Sequence, residues 1–100
     1  MAAYVFVNIE VTDPERYAEY IRVAPPTLIP FGGRYIARGG RAETLEGIVS
    51  AKRVVLLEFP TVEKAKEWWA SDVYRGPKAI RQSSASTSMI VVEGVGPAGP

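Results

Sequence analysis

The sequence contains neither cysteine nor histidine among its 100 residues. Without cysteine, the chain can form neither a disulfide nor a thiolate nucleophile. Without histidine, it can build no Ser-His-Asp triad, no His-ligated haem and no zinc site of the usual nitrogen and sulfur ligands. We therefore expect no metal and no resident cofactor, so any catalysis must use carboxylates, Tyr, Ser, Arg, Lys, backbone groups or a borrowed cofactor.

An excess of one charge and long apolar runs are also lacking. Twelve Lys and Arg stand against eleven Asp and Glu, and the basic residues are scattered, which argues against nucleic-acid binding through a clustered basic face. No apolar run approaches the roughly 20 residues that span a bilayer. The opening MAAYVFVNIEV resembles a strand rather than a signal peptide. We expect no membrane partner and a cytoplasmic location.

The composition, 47% hydrophobic and 23% charged, is typical of one packed domain. We assign residues 1–95 to a single domain, and residues 96–100, GPAGP, to a flexible tail with nothing to bury.

The apolar pattern predicts four strands and two helical regions. Period-two alternation predicts strands in AYVFVNIEV, RYIARGG, KRVVLLEFP and TSMIVVEGV. Helical spacing predicts one helix in TDPERYAEYIRVA, capped by Thr12 or Asp13, and a second region from Thr61 to about Ser83, with Ser71 as an internal cap. The order β-α-β-β-α-β is the ferredoxin-like split βαβ, an α+β fold whose four-stranded antiparallel sheet carries both helical regions on one face.

The other face of this sheet has no helix to cover it. Its predicted residues are apolar, and they are Tyr4, Phe6, Val54 and Leu56, with Met89 and Val91 as further candidates. An apolar face of this size implies a partner. Two such sheets packed face to face form a homodimer.

Several short motifs, in order, resemble a known family of small dimeric α+β-barrel proteins, domain-of-unknown-function family thirteen-thirty. They are DPERYAEY, FGGRYIARGG, LEG, VVLLEFP, the A-x-x-W-x-x-S-x-x-Y run from Ala65 to Tyr74, Arg81 and the closing VVEGV. The resemblance implies a ferredoxin-like protomer in a dimeric α+β barrel and supplies no activity. Related barrels include cofactor-free monooxygenases, haem-degrading enzymes and small isomerases, but a shared fold does not transfer function.

Adjacent tryptophans in TVEKAKEWWASDVYRG raise the question of which ring is buried. Val62, Ala65 and Trp69 recur at helical spacing, which predicts that Trp69 lies in the core. Trp68 then points about 100° away. It is either the wall of a ligand cleft or a side chain packed beneath the next loop or at the dimer interface.

Three further candidates follow along the chain. Ser71 and Tyr74 offer hydroxyls to a polar substrate group, although Ser71 also suits a helix cap. Arg81 is able to grip a carboxylate or phosphate with its planar guanidinium, or is simply a cation near a helix C-terminus.

Arg38 and Glu58 lie on strands that should form a hairpin. Alternation places Glu58 with Val54 and Leu56, toward the barrel interior. A carboxylate there next to Arg38 suits a general base. The alternative is an ion pair that fixes the strand register or the dimer.

These residues predict a small-molecule-binding protein or a cofactor-free enzyme. Its substrate would be a small anionic or carbonyl-bearing molecule, bound in a cleft between the sheet edge and the second helical region. Glu58 and Tyr74 are the predicted catalytic residues, and the predicted substrate-binding residues are Arg38, Trp68, Ser71 and Arg81. The alternative is a non-enzymatic dimeric structural or regulatory module with no dedicated ligand.

Overall fold

The chain forms a four-stranded sheet with helices packed on one face. The structure is a computed structural model that describes residues 1–49 and 52–96. In chain order the elements are β1 (Ala3–Val11), α1 (Pro14–Val23), α2 (Pro25–Leu28), a 3-10 turn (Ile29–Phe31), β2 (Arg34–Arg38), β3 (Arg53–Phe59), α3 (Val62–Trp69), α4 (Asp72–Ser84) and β4 (Ala85–Glu93). Apart from Gly96, the predicted tail lies outside the described residues.

The strand order in space is β2-β3-β1-β4, with every neighbouring pair antiparallel. This is the ferredoxin-like arrangement that the sequence predicts. The helix α1 packs against α4, and α3 packs on β1, β3 and β4. Alternate residues of β1 and β3 fill the space beneath these helices, and they include Val5, Val7, Ile9, Val55, Leu57 and Phe59.

Side-chain caps begin three of the helices. The Asp13 carboxylate accepts a hydrogen bond from the Arg16 amide, the Thr61 hydroxyl from the Lys64 amide, and the Ser71 hydroxyl from the Tyr74 amide. Such caps typically contribute about 1 kcal/mol each. The predicted caps at Asp13 and Ser71 are thus confirmed.

The phase of β4 differs from the prediction. Val91 pairs with Val5, and Met89 pairs with Val7. Cross-strand partners share a face of the sheet, so Met89 and Val91 lie on the helix-covered face, and their placement on the bare face was wrong. The bare face instead carries Ile90 and Val92, opposite Phe6 and Tyr4.

A bulge in β2 reverses the predicted orientation of Arg38. Arg34 pairs with Glu58, but the register shifts between Tyr35 and Ala37, and Arg38 pairs with Val55. The extra residue, Ile36, inverts the alternation that follows it. Arg38 therefore shares the helix-covered face with Val55, whereas Glu58 lies on the bare face.

The helix α3 buries Trp68 and exposes Trp69, which contradicts the prediction that Trp69 lies in the core. Trp68 is 2% exposed and Trp69 45% exposed. The Trp68 ring packs against Phe59 and Tyr74, at centroid distances of 5.4 and 4.0 Å, and its indole N–H donates to the Thr27 hydroxyl at 3.0 Å. These contacts, rather than the spacing of apolar residues, set the rotation of this short helix.

Candidate functional site

An open cleft runs along the outer edge of β4. One part, the apolar lobe, lies between β4 and the end of α3 and has a volume of about 410 Å³. The other part, the polar lobe, lies between β4 and the end of α4 and has a volume of about 440 Å³. The two lobes share Trp69 and Met89 in their linings, so they lie side by side between the sheet edge and the second helical region.

The two lobes differ in chemistry. Lys66 is the single charged side chain that lines the apolar lobe, whose other residues are Val5, Ala65, Trp68, Trp69, Ala70, Met89, Ile90 and Val91. The polar lobe is lined by Trp69, Arg81, Gln82, Ala85, Thr87 and Met89. Neither lining contains an acidic residue, so every charge in the cleft walls is positive.

Arg81 is the main charged group of the polar lobe, although it is only 4% exposed. Its Nε donates to the Tyr74 hydroxyl at 3.2 Å, and its Nη1 donates to the Thr87 hydroxyl. Within residues 1–49 and 52–96, no carboxylate forms an ion pair with it. Buried charges are normally paired, because an unpaired one is costly. Arg81 is thus a buried cation held by two neutral hydroxyl groups.

The phenol groups of Tyr20 and Tyr74 form a hydrogen-bonded pair next to Arg81. The Tyr20 and Tyr74 hydroxyls are 2.7 Å apart. Burial raises the pKa of Tyr20 far above its ordinary value, and the neighbouring Tyr74 raises it further. Tyr20 therefore stays neutral at physiological pH, where it is a hydrogen-bond partner rather than a base.

A small inner cavity lies between α1 and the sheet, on the other side of this network. Its volume is about 20 Å³, enough for about one water molecule. Arg38, Arg53 and Arg81 line it together with Tyr17, Tyr20 and Tyr35, and its lining also contains no acidic residue. Burial raises the pKa of Tyr35, so this phenol stays neutral as well. The lining of this cavity thus combines hydrogen-bond donors with positive charge, although Arg38 is itself an exposed residue.

Arg53 is held in place at the inner cavity by close packing. Its Nε is buried and has no hydrogen-bond partner among the described residues, and its guanidinium lies 5.7 Å from the Tyr17 ring centroid. A Cβ at Gly39, where φ is 70°, would collide with the Arg53 guanidinium. Glycine at position 39 therefore allows both the left-handed turn after β2 and the close approach of this arginine.

The structure brings together three of the six predicted site residues. Trp68 forms part of the wall of the apolar lobe, Arg81 lines the polar lobe, and Tyr74 bridges them, packed on Trp68 and bonded to Arg81. Ser71 lies close by in sequence, but its hydroxyl caps α4 and donates to the Trp68 carbonyl at 2.7 Å. Its predicted role in substrate binding is unsupported by these contacts.

Arg38 and Glu58 do not meet. Glu58 accepts from Arg34 Nε at 2.7 Å on the bare face of the sheet. Arg38 lies over the Tyr35 ring, 4.3 Å from its centroid, and donates to the Ile21 carbonyl at 2.5 Å. The predicted Arg38–Glu58 pair was wrong, because the bulge at Ile36 turns Arg38 to the opposite face.

Four residues around these cavities were not predicted from the sequence as site residues, and they are Trp69, Thr87, Tyr20 and Arg53. Helical spacing predicts Trp69 in the core rather than in a cleft. Thr87 begins a predicted strand in which MIVV is apolar at every position, so alternation does not show which face Thr87 is on. The helical spacing of Tyr20 indicated a packing residue, and nothing in the sequence indicated its contact with Tyr74. Arg53 is two residues before Val55, so strand alternation puts both on one face, and this was the available signal for an arginine at the inner cavity.

The described residues offer no metal site and no membrane span. Among residues 1–49 and 52–96, no group of three or more acidic side chains could hold an ion. Within the same ranges, no helix is long and apolar enough to cross a membrane. The cytoplasmic location and the lack of nucleic-acid binding stay predictions.

Solved structures with the same fold include proteins of unknown function and a cofactor-independent oxygenase. A protein of unknown function from Rhodopseudomonas palustris aligns with a TM-score of 0.77 at 21% identity, covering 96% of this chain and 84% of the other. A dimeric ferredoxin-like protein of unknown function from Thermobifida fusca aligns at 0.67 and 15%, covering 94% and 92%. SnoaB, a cofactor-independent oxygenase from Streptomyces nogalater, aligns at 0.64 and 6%, covering 95% and 94%.

At these identities the structural likeness establishes the fold alone. No curated protein matches the chain in sequence. The model of one family, described as a domain of unknown function, DUF1330, matches residues 2–95. That match covers nearly the whole chain, including every element of the sheet and the cleft, and the chain therefore belongs to the DUF1330 family.

Proposed function

We propose that the protein binds a small organic anion in the cleft beside β4, with Arg81 holding the negative group of the ligand. The observation that carries this proposal is the burial of Arg81 without a carboxylate partner among the described residues. A ligand carboxylate or enolate would supply the missing negative charge.

The contacts of Arg81 suit this role. Tyr74 and Thr87 occupy Nε and Nη1, which fixes the plane of the guanidinium. Nη2 makes no hydrogen bond to the described residues, and it is therefore able to donate to a ligand oxygen. Charge-assisted bonds from a fixed guanidinium are stronger than neutral hydrogen bonds.

Binding is better supported than proton transfer. Glu58, the predicted general base, lies on the face of the sheet away from the cleft, and neither lobe contains a carboxylate. If the protein catalyses a reaction on a carbonyl compound, Arg81 would act by stabilising a developing oxyanion. The structural likeness to a cofactor-independent oxygenase is compatible with such chemistry and supports it only weakly.

The test compares benzoate with its neutral analogue benzyl alcohol by calorimetry. We expect benzoate to bind the wild type, and benzyl alcohol to bind at least about tenfold more weakly, since the charge-assisted bonds are lost. Arg81→Gln should weaken benzoate binding by about the same factor. Arg75→Gln is the control, because Arg75 lies exposed on the same helix and pairs with Asp72.

Two results would contradict the proposal. One is equal affinity of benzoate for the wild type and for a folded Arg81→Gln variant. The other is the absence of any binding at millimolar benzoate, which would favour the alternative of a dimeric module without a dedicated ligand.

We also infer that the protein is a homodimer joined through the bare face of its sheet. Phe6, Ile90 and Val92 are exposed on this face, and isolated apolar faces of this kind mark interfaces. Dimeric ferredoxin-like structures of the same fold support the inference. Glu58 and Arg34 would then lie at the rim or within this contact, where they would fix its register.

A further inference from the structure

The apolar lobe is not explained by the binding of a small anion alone. The lobe has a volume of about 410 Å³ and lies next to the polar lobe that contains Arg81, yet its walls offer almost no polar group. The wall residues Met89 and Val91 lie on the helix-covered face of β4. A partner sheet packed on the opposite face would cover Ile90, which the lobe shares with that face, but would leave the walls at Met89 and Val91 free for a ligand.

Trp69 is the residue that joins the two lobes, and it is fixed rather than loose. The Lys78 ammonium lies 3.7 Å from the Trp69 ring centroid and donates to the Trp69 carbonyl at 2.9 Å. This cation–π contact holds one face of the indole. A large aromatic side chain left 45% exposed between two depressions is typical of a ligand-contacting surface.

The charged side chains that line the two lobes or contact Trp69 are all basic. Arg81 lies in the polar lobe, Lys66 lines the apolar lobe, and Lys78 lies against the shared tryptophan. The residues lining the two lobes include no Asp or Glu. An occupant that matches both lobes must therefore combine a negative group with a sizeable apolar part.

We propose that the ligand is an amphiphilic carboxylate, whose head is bound by Arg81 and whose hydrocarbon tail extends past Trp69 and Met89 into the apolar lobe. This inference rests on the proposed function and adds the tail to it. It assigns to the apolar lobe the role of selecting ligands by chain length.

A series of linear carboxylates tests the inference. Propionate, hexanoate, octanoate and decanoate are titrated into the full chain by calorimetry, each below the concentration at which it forms micelles. We expect the affinity to rise about fourfold per methylene as the tail enters the lobe, and to level off once the lobe is full. Octanol, which has the tail without the charge, should bind at least about tenfold more weakly than octanoate.

Two variants separate the head from the tail. Ala70→Phe places a ring in the apolar lobe at an exposed position, and we expect it to flatten the chain-length dependence while leaving propionate unchanged. Ala79→Phe is the matched control, because Ala79 is also exposed but lies outside both lobe linings. Arg81→Gln should weaken every carboxylate by about the same factor and preserve the slope with chain length.

The possible failures are distinguishable. If octanoate binds no tighter than propionate while Arg81→Gln still weakens both, the tail site is wrong and the proposed function stands. If no carboxylate binds, both are wrong. If octanoate instead splits a dimer, as seen by light scattering, the apolar lobe is a contact between copies of the chain, and the inference is overturned. Equal binding of octanol and octanoate would also overturn it.

Discussion

Arg81 illustrates how a single buried residue constrains function. A guanidinium cannot give up its charge at physiological pH, so burial leaves the protein with a cation that needs a counter-charge or strong acceptors. The Tyr74 and Thr87 hydroxyls offer acceptors but no charge. Arg53, whose buried Nε has no partner among the described residues, adds a second positive charge at the inner cavity. This positive charge without a counter-charge favours a negatively charged ligand over a neutral one.

Tyr20 leads to a prediction about alkaline pH. Burial and Tyr74 raise the pKa of Tyr20 in the folded protein, whereas in the unfolded chain it ionises near its ordinary value of about 10. Its contribution to stability is therefore fully present below about pH 10 and is lost as pH rises above it, because only the unfolded chain then releases the proton. We expect the free energy of unfolding to fall above about pH 10.

Urea unfolding between about pH 8 and pH 11 measures this dependence. Tyr20→Phe should lower stability at pH 8 through loss of the Tyr74 hydrogen bond, but should show a shallower decline above pH 10. Part of the decline in stability should remain in Tyr20→Phe, because burial raises the pKa of Tyr35 as well. An identical slope in the wild type and Tyr20→Phe would contradict the assignment.

At the level of elements, α3 makes the two tryptophans unequal. Trp68→Ala removes a buried ring that packs on Phe59 and Tyr74 and donates to Thr27, and should cost about 3–5 kcal/mol of unfolding free energy. Trp69→Ala removes an exposed ring and should cost less than about 1 kcal/mol. Two urea melts decide the matter, and equal losses would mean that Trp69 is a core residue after all.

Element boundaries could be read from the sequence more reliably than orientations. The strand predicted as AYVFVNIEV is β1, residue for residue, and the caps at Asp13 and Ser71 are in place. Boundaries follow from local signals, namely alternation, proline and capping side chains. The orientation of α3 does not follow from local signals. Trp68 and Trp69 come three and four residues after Ala65, so either ring could share its face of the helix. The contacts with Thr27 and Tyr74 decide that Trp68 is the buried one.

The remaining errors have the same origin in long-range pairing. Nothing in RYIAR marks Ile36 as a bulge, because the extra residue is defined only against the register of β3. Likewise MIVV in β4 is apolar at every position, so its phase comes from pairing with β1. The candidate site was accordingly predicted in part. Trp68, Tyr74 and Arg81 lie together because they belong to two consecutive helices, α3 and α4. Glu58 lies apart because its position relative to Arg38 depends on strand register.

For the whole molecule, the bare sheet face predicts assembly. We expect the wild type to scatter light with twice the mass of one chain. Val92→Glu places a charge in the apolar face and should yield monomers, because a buried unpaired carboxylate at an interface is costly. Val73→Glu is a matched control, since Val73 and Val92 are 52% and 54% exposed but Val73 lies on α4.

If the wild type is monomeric at micromolar concentration, the dimer proposal is wrong. The cleft proposal is unaffected by that result, because the lobes are formed within one chain. A dimer that persists in Val92→Glu would instead place the interface elsewhere.

The global fold was predictable because the order of elements and the bare apolar face suffice to define it. The cleft volumes depend on side-chain packing and could not be predicted.

The unequal tryptophans also make the protein its own fluorescent reporter. The chain has only two indoles, and one is enclosed by Phe59 and Tyr74 while the other stands in the cleft beneath Lys78. An enclosed indole emits further to the blue than a wet one and resists quenching by acrylamide. The accessible, red-shifted component should therefore change most when a ligand occupies the cleft. Trp68 meets the apolar lobe with only its 2% exposed surface, so the protected component should change mainly when the fold is lost, and one spectrum then separates occupancy from unfolding without any attached dye.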